Sequence, residues 1–402
     1  MLTILFSIIA VLFVGLGLPD SLLGAAWPAI YVDLSIGVSS INFITILISS
    51  GTVLASLFSA RLINKFGTGV VTFFSTLTTA LALLGFSLSQ SIWWFVVLAL
   101  PLGAGAGAID AALNNFVATH YSSTVMSFSH CFYGLGVAAS PYIMSFALSL
   151  DNDWRLGYRT VFYIMVGIAL ISILALPLWK KIQTKEKNED NFTPKTLTLL
   201  QMAKMPAVRA AWVMFFSSVA LEFTCGIWGC TYLVLSEGLS ESKAAELLTL
   251  YYVGITLGRF ISGVISSKVH PKNIVYCGYV LVGVAVTLMV LPLPVIVKAV
   301  ALFLIGFGNG PTFPNMAYLT PFTFGKDVSQ SILGTQMACC NLGIVLMPPL
   351  FGLIAECISI KAFPYYLIAL FIVMAVSTVV YNTLAKKLIK ERSKAAKNTD
   401  KP

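Results

Sequence analysis

Long apolar runs and short polar turns alternate along almost the whole chain. Each run holds about 20 residues or more, which at 1.5 Å per residue crosses a hydrocarbon layer of roughly 30 Å as a helix. Six runs precede the middle of the chain, at 4–30, 40–60, 69–89, 92–118, 124–149 and 159–180. Six follow it, at 208–235, 244–264, 273–291, 297–319, 329–356 and 363–388. The pattern predicts an all-α membrane protein with twelve transmembrane helices in two pseudo-symmetric six-helix bundles. The first run lacks a basic leading region and a small-residue cleavage site, and it continues past signal-peptide length through Trp27, so it reads as a retained first helix.

Charge supports this reading and gives it a direction. Only 10% of the 402 residues are charged against 58% hydrophobic, whereas a soluble domain carries about a quarter charged residues. The stretch Lys180 to Arg209 is the one long hydrophilic segment inside the chain, so the expected division is a first bundle at 1–180, a solvated linker at 181–207, a second bundle at 208–390 and a basic tail at 391–402. A net charge of +9 suggests nucleic acid at first sight, but the basic residues fall in alternate loops, the pattern of membrane orientation. With both termini in the cytoplasm, only Arg155, Arg159, Lys243, Lys298 and Lys361 lie outside and Arg259 falls within a run. A multi-pass protein of the plasma membrane follows, with the bilayer as partner, no nucleic acid, and a monomer as the expected state. The seven cysteines include no CxxC pair, and neither a metal site nor a cofactor is expected.

The halves repeat one another. A shift of 203 aligns Leu54, Ser59 and Lys65 with Leu257, Ser262 and Lys268, and Gly103, Gly105 and Gly107 with Gly306, Gly308 and Gly310. A shift of 201 aligns Trp27, Tyr31, Leu34 and Ser35 with Trp228, Tyr232, Leu235 and Ser236. Parallel six-helix repeats of this kind hold substrate between them near the midplane. The GAGAG run at 103–107 has the wrong spacing for a dinucleotide loop and is expected to pack helices closely.

An ionised group at mid-helix costs on the order of 3 kcal/mol, so those present are candidates for function. They are Asp20, Asp110, Glu222, Arg259 and Glu356, with His130 beside them. Asp20 sits beside Pro19, where a broken helix exposes backbone, and either binds a solute or caps the kink. Asp110 either carries a coupling proton or bonds a neighbouring helix. Their depths differ by roughly 10 Å, which predicts no mutual hydrogen bond. Glu222 precedes Trp228 much as Asp20 precedes Trp27, so each half offers an acid and an indole to a substrate, unless the indoles belong to an interfacial belt. Arg259 reads as a gate or structural residue, snorkelling or paired with a loop carboxylate, and Glu356 as an interfacial acid. His130 and Tyr133, one turn apart, and the neutral Asn114, Asn115, Asn309, Asn315, Gln336 and Asn341 either line a cavity for a polar uncharged solute or bond between helices.

These residues resemble the major facilitator superfamily and, within it, the fucose permease-like sugar transporters, over nearly the full chain. ARLINKFGTG at 60–69 is similar to the cytoplasmic loop signature, with Asn64 in place of its usual Asp, so the resemblance implies a gating role for Asn64, Lys65 and Gly67. AIDAALNNF at 108–116 resembles the permease stretch with Asp110 in place of its Glu. The resemblance implies that Asp110 is the proton-coupling carboxylate, that Asp20 is linked to both sugar and proton, and that Asn114 lies near. His130 and Tyr133 stand where the permease has Gln and Asn. The leading expectation is a cation-coupled importer of a sugar or related polar solute, using protons or else sodium. An efflux pump for amphipathic compounds competes with it, although the fifth run has Ser140-Pro141-Tyr142 and no GPxxGG. A non-transporting membrane sensor is the third reading. No nucleophile, metal cluster or phosphate loop stands in a soluble domain, so an enzyme is not expected.

Overall fold

The structure, a computed structural model, describes residues 2–121, 123–150, 153–183, 197–266 and 268–399. Among them are twelve helical segments long and apolar enough to cross a membrane. Spans 1 to 6 are Leu5–Asp33, Val38–Ser56, Thr68–Ser87, Ile92–Asn114, Phe128–Ser149 and Trp154–Leu174. Spans 7 to 12 are Pro206–Leu235, Glu241–Ile265, Pro271–Val290, Val295–Phe324, Ser331–Cys357 and Ile360–Lys390.

Span 6 starts five residues before its apolar run. Asp153 caps it by accepting from the Leu156 N–H at 3.2 Å, and Arg155 pairs with Asp33 at 2.8 Å, so charges that read as loop belong to the helix. A separate helix, Leu176–Gln183, follows it. In the linker a short helix, Leu199–Ala203, is closed by a reciprocal cap between Thr198 and Gln201. The last helix extends beyond the membrane as far as Thr399.

The repeat seen in sequence reappears as packing. Gly103 and Gly107 let span 4 lie against the backbone of Ile48 and Thr52 in span 2, while Gly306 and Gly310 set span 10 against Tyr251 and Ile255 in span 8. Gly105 faces Ser75 and Gly308 faces Gly278, which gives spans 3 and 9 the same relation. The expectation that GAGAG serves close helix approach holds, for an added Cβ would overlap main-chain oxygens.

Two spans are broken where the site lies. Span 1 consists of helices Leu2–Gly17 and Leu22–Asp33, with Leu18 to Ser21 in turns around Pro19. Span 10 consists of Val295–Asn309 and Thr312–Phe324, parted at Gly310 and Pro311. Bonds join the two halves at one end of the molecule. Asn42 donates to the Pro349 carbonyl at 3.2 Å, Cys230 to the Ala25 carbonyl at 3.4 Å, and Ser242 to the Ser145 carbonyl at 2.9 Å. Gly24 and Gly226 bring spans 1 and 7 into backbone contact beside them. We call this the sealed end.

Candidate functional site

Proline decides which carbonyls are free to hold side chains here. Pro141 has no N–H to give to the Val137 carbonyl, and Ser21 Oγ donates to it instead, at 2.6 Å. Ser140 Oγ donates to the Leu18 carbonyl within the break of span 1. Gly17 and Gly136 set spans 1 and 5 backbone to backbone. Together these contacts fix Asp20 opposite Tyr133, whose hydroxyl donates to its Oδ2.

The second half builds its part in the same way. Pro314 has no N–H to give to the Gly310 carbonyl, and Arg259 Nε donates to that oxygen at 3.3 Å. Arg259 Nη2 reaches Glu222 Oε1 at 2.9 Å, both side chains being largely buried. Tyr251 donates to the Glu222 carbonyl at 2.8 Å and so braces span 7 at the same level. Glu222 and Arg259 thus offset in the membrane interior a cost that either would bear alone.

A single cavity between the halves is lined by Asp20 and Tyr133 from the first half and by Glu222 and Arg259 from the second. Tyr252 and Thr256 of span 8 add hydroxyls to this polar side. The remaining wall is largely apolar, with Ile48, Leu102, Ala106 and Ile344 from spans 2, 4 and 11, and with Thr45 and Ser49 of span 2 among them. The cavity can therefore take a solute by several hydrogen bonds together with apolar contact.

Other expected residues lie off this wall. Asp110 is exposed one turn beyond Ala106, away from the sealed end, and accepts from Asn114 Nδ2 at 2.7 Å. Asp20 bonds to Tyr133 and Asp110 to Asn114, in keeping with the expectation that the carboxylates do not bond to each other. His130 packs edge-on to Phe13 at 5.7 Å. Gln336 is fully buried and accepts from Thr320 at 3.2 Å, and Asn341 is exposed. Asn309 bonds to Ser218 and Asn315 to Ser262, so these two serve helix packing. The side chains of Asn64 and Asn115 lie outside the described residues. Lys65 is exposed over the Phe66 ring, and Gly67 has φ 84°, a left-handed turn between spans 2 and 3.

Two expectations are corrected. Trp27 and Trp228 were expected on the substrate or in an interfacial belt, but both are fully buried and donate to the carbonyls of Val38 and Pro348 at 2.7 and 2.9 Å. Indole N–H groups inside a membrane protein need such an acceptor, and turns and kinks supply one. Arg259 was expected to snorkel or to meet a loop carboxylate; it is held inward by Glu222 and the broken span 10. Glu356 is exposed and faces Gly37 in the turn between spans 1 and 2, in keeping with an interfacial acid. Sequence reasoning missed Tyr252, Thr256 and Tyr251, since Tyr and Thr are common in spans and carry no charge to mark them.

A twelve-span helical bundle with a charged cavity between two repeated halves defines the class of secondary transporters. The chain matches the Major Facilitator Superfamily over residues 9–348 and 238–401 and belongs to that family. It is 23% identical over 401 residues to "Bypass of stop codon protein 6" of Saccharomyces cerevisiae, covering 90% of this chain and 79% of the relative. With the "Glucose/mannose transporter GlcP" of Bacillus subtilis it shares 21% over 289 residues, covering 69% and 71%. Among solved structures, a variant of the nucleoside transporter NupG aligns with TM-score 0.71 and 13% identity, over 94% of this chain and 98% of that one. A variant of the Escherichia coli fucose:proton symporter FucP aligns with TM-score 0.62 and 17% identity, again over 94% and 98%.

Proposed function

We propose that the protein is a proton-coupled symporter of a sugar or similar small polar solute, working by alternating access in the plasma membrane with both termini in the cytoplasm. The two bundles, 1–180 and 208–390, rock about the cavity, and the chain acts as a monomer. The observation that carries this reading is the joint lining of one cavity by Asp20 with Tyr133 and by Glu222 with Arg259, one set from each half. Solute hydroxyls compete for these groups, and a proton on Asp20 releases Tyr133 to bond the solute. Asp110, exposed on the side away from the seal, takes or gives the proton there. Similarity to GlcP and to FucP supports a sugar; similarity to NupG, a nucleoside transporter, keeps other ribose-bearing or polyhydroxylated solutes in the trial set.

The test is external pH in de-energised cells expressing the protein, with sugars and nucleosides added one at a time. Alkalinisation on adding a solute is expected, and its loss in Asp20→Asn and Asp110→Asn. A sodium requirement for uptake without pH change would reassign the coupling ion. The apolar wall of Ile48, Leu102, Ala106 and Ile344 favours a second reading, efflux of amphipathic compounds. Dye export with no solute-driven pH change would select it.

A further inference from the structure

On the outer surface of the second half, spans 7 and 12 meet along a groove that faces the bilayer. Its floor is made by small residues, Ala210 at 8% and Ser377 at 7% exposure, and its rims by Val213 at 44% and Val376 at 57%. A valine or leucine at either floor position would fill it. The span 12 side runs from Ile372 to Leu384, which at 1.5 Å per residue is about 18 Å, close to one hydrocarbon leaflet of roughly 15 Å. That is the reach of one acyl chain.

One end of the groove is basic. Arg209 lines it, is exposed, and has no hydrogen bond or ion pair among the described residues. Val373, Ser377, Val380 and Leu384 follow one another at spacings of four, three and four, and the next position of that stripe, three on, is Lys387, also exposed. Arg209 thus stands at the mouth of a chain-length apolar slot, at the depth where span 7 begins, and Lys387 lies about one turn past Leu384, the last lining residue of span 12. Basic pockets between helices at such a level suit acidic headgroups.

We propose that this groove binds an anionic diacyl phospholipid, with an acyl chain between spans 7 and 12 and its phosphate against Arg209 and Lys387. The occupant is a lipid and not a free phosphate, because the apolar slot is continuous with the basic mouth. Span 7 carries Glu222, so a lipid seated here braces the helix that bears one of the cavity carboxylates.

Native mass spectrometry of the full chain in neutral detergent tests this, titrating phosphatidylglycerol and phosphatidylcholine of equal chain length, with inorganic phosphate as a competitor. Phosphatidylglycerol is expected to bind at least about ten-fold more tightly, from two favourable cations. Arg209→Gln with Lys387→Gln should bring that ratio close to one. Ser377→Phe, or Val376→Trp should the first variant fold poorly, should weaken both lipids while leaving the preference. Equal binding of the two lipids by the unaltered chain, a preference that survives loss of both cations, or displacement of the lipid by inorganic phosphate would each overturn the proposal.

Discussion

Arg259 and Glu222 illustrate how a buried pair differs from its members. Removing one partner leaves the other charge in low dielectric with no counter-ion, a loss of about 3–5 kcal/mol, while removing both is far cheaper. Arg259→Gln and Glu222→Gln are therefore each expected to lower the melting temperature of the purified protein sharply, and the double variant to recover most of it. If the double variant loses as much as both singles together, the pair is not coupled. Tyr133→Phe removes the donor to Asp20 without changing volume, so coupled uptake should fall at least about ten-fold while the fold persists, measured as solute-driven pH change beside thermal unfolding. At this scale the carboxylates were legible in the sequence, because a charge in an apolar run is costly enough to be noticed. Their partners were not. That Arg259 meets Glu222 depends on the crossing of spans 7 and 8 and on a carbonyl freed by Pro314, and neither shows in residue spacing.

Among the helices, the breaks decide where chemistry is possible. Spans 1 and 10 are interrupted at Leu18 to Ser21 and at Gly310 and Pro311, and their exposed main chain takes up Ser140, by way of Leu18, and Arg259, by way of Gly310. The first break was legible in Pro19 and its neighbouring glycines; the second stood in Gly310-Pro311 within a repeat read only as packing. Helix ends were harder to place, as span 6 shows, because Arg155 is drawn into its helix by Asp33, an ion-pair partner 122 positions away. At the sealed end Gly352 leaves room for the Asn42 amide and for Trp228. Gly352→Val should prop this end open, and the buried Cys230 should then react with maleimide several-fold faster, read by peptide mass spectrometry. Unchanged labelling of Cys230 would mean that the seal tolerates the added methyls.

At the scale of the whole molecule, the twelve spans and the two-fold repeat were readable from apolar length and from shifts of 203 and 201, since both are set by composition along the chain. The relative placement of the halves was not, because it rests on a few contacts between distant residues. Each half also carries its own brace near the sealed end: Arg155 with Asp33 and the Ser89 carbonyl in the first, and Lys298 with Glu237 at 2.5 Å in the second. Burial works to raise the Glu237 carboxyl, but hydrogen bonds from Lys298, Tyr232 and Ser236, with the Lys298 charge, outweigh it and hold it below the usual range. A lowered carboxylate stabilises the fold above its unfolded value, near pH 4.3, and that contribution is lost as pH falls through the folded value. Thermal stability should thus drop on acidification below about pH 4.3, and Glu237→Gln should flatten that part of the profile. The seal itself is chemically lopsided. Asn42, Cys230 and Ser242 all donate to main-chain carbonyls, of Pro349, Ala25 and Ser145, and of these three acceptors Ser145 alone adds a side chain, its Oγ meeting Ser242 Oγ at 3.3 Å. The hold between the halves can therefore be loosened or tightened one donor at a time, and the time spent closed at that end becomes a quantity that a single substitution on either half can set.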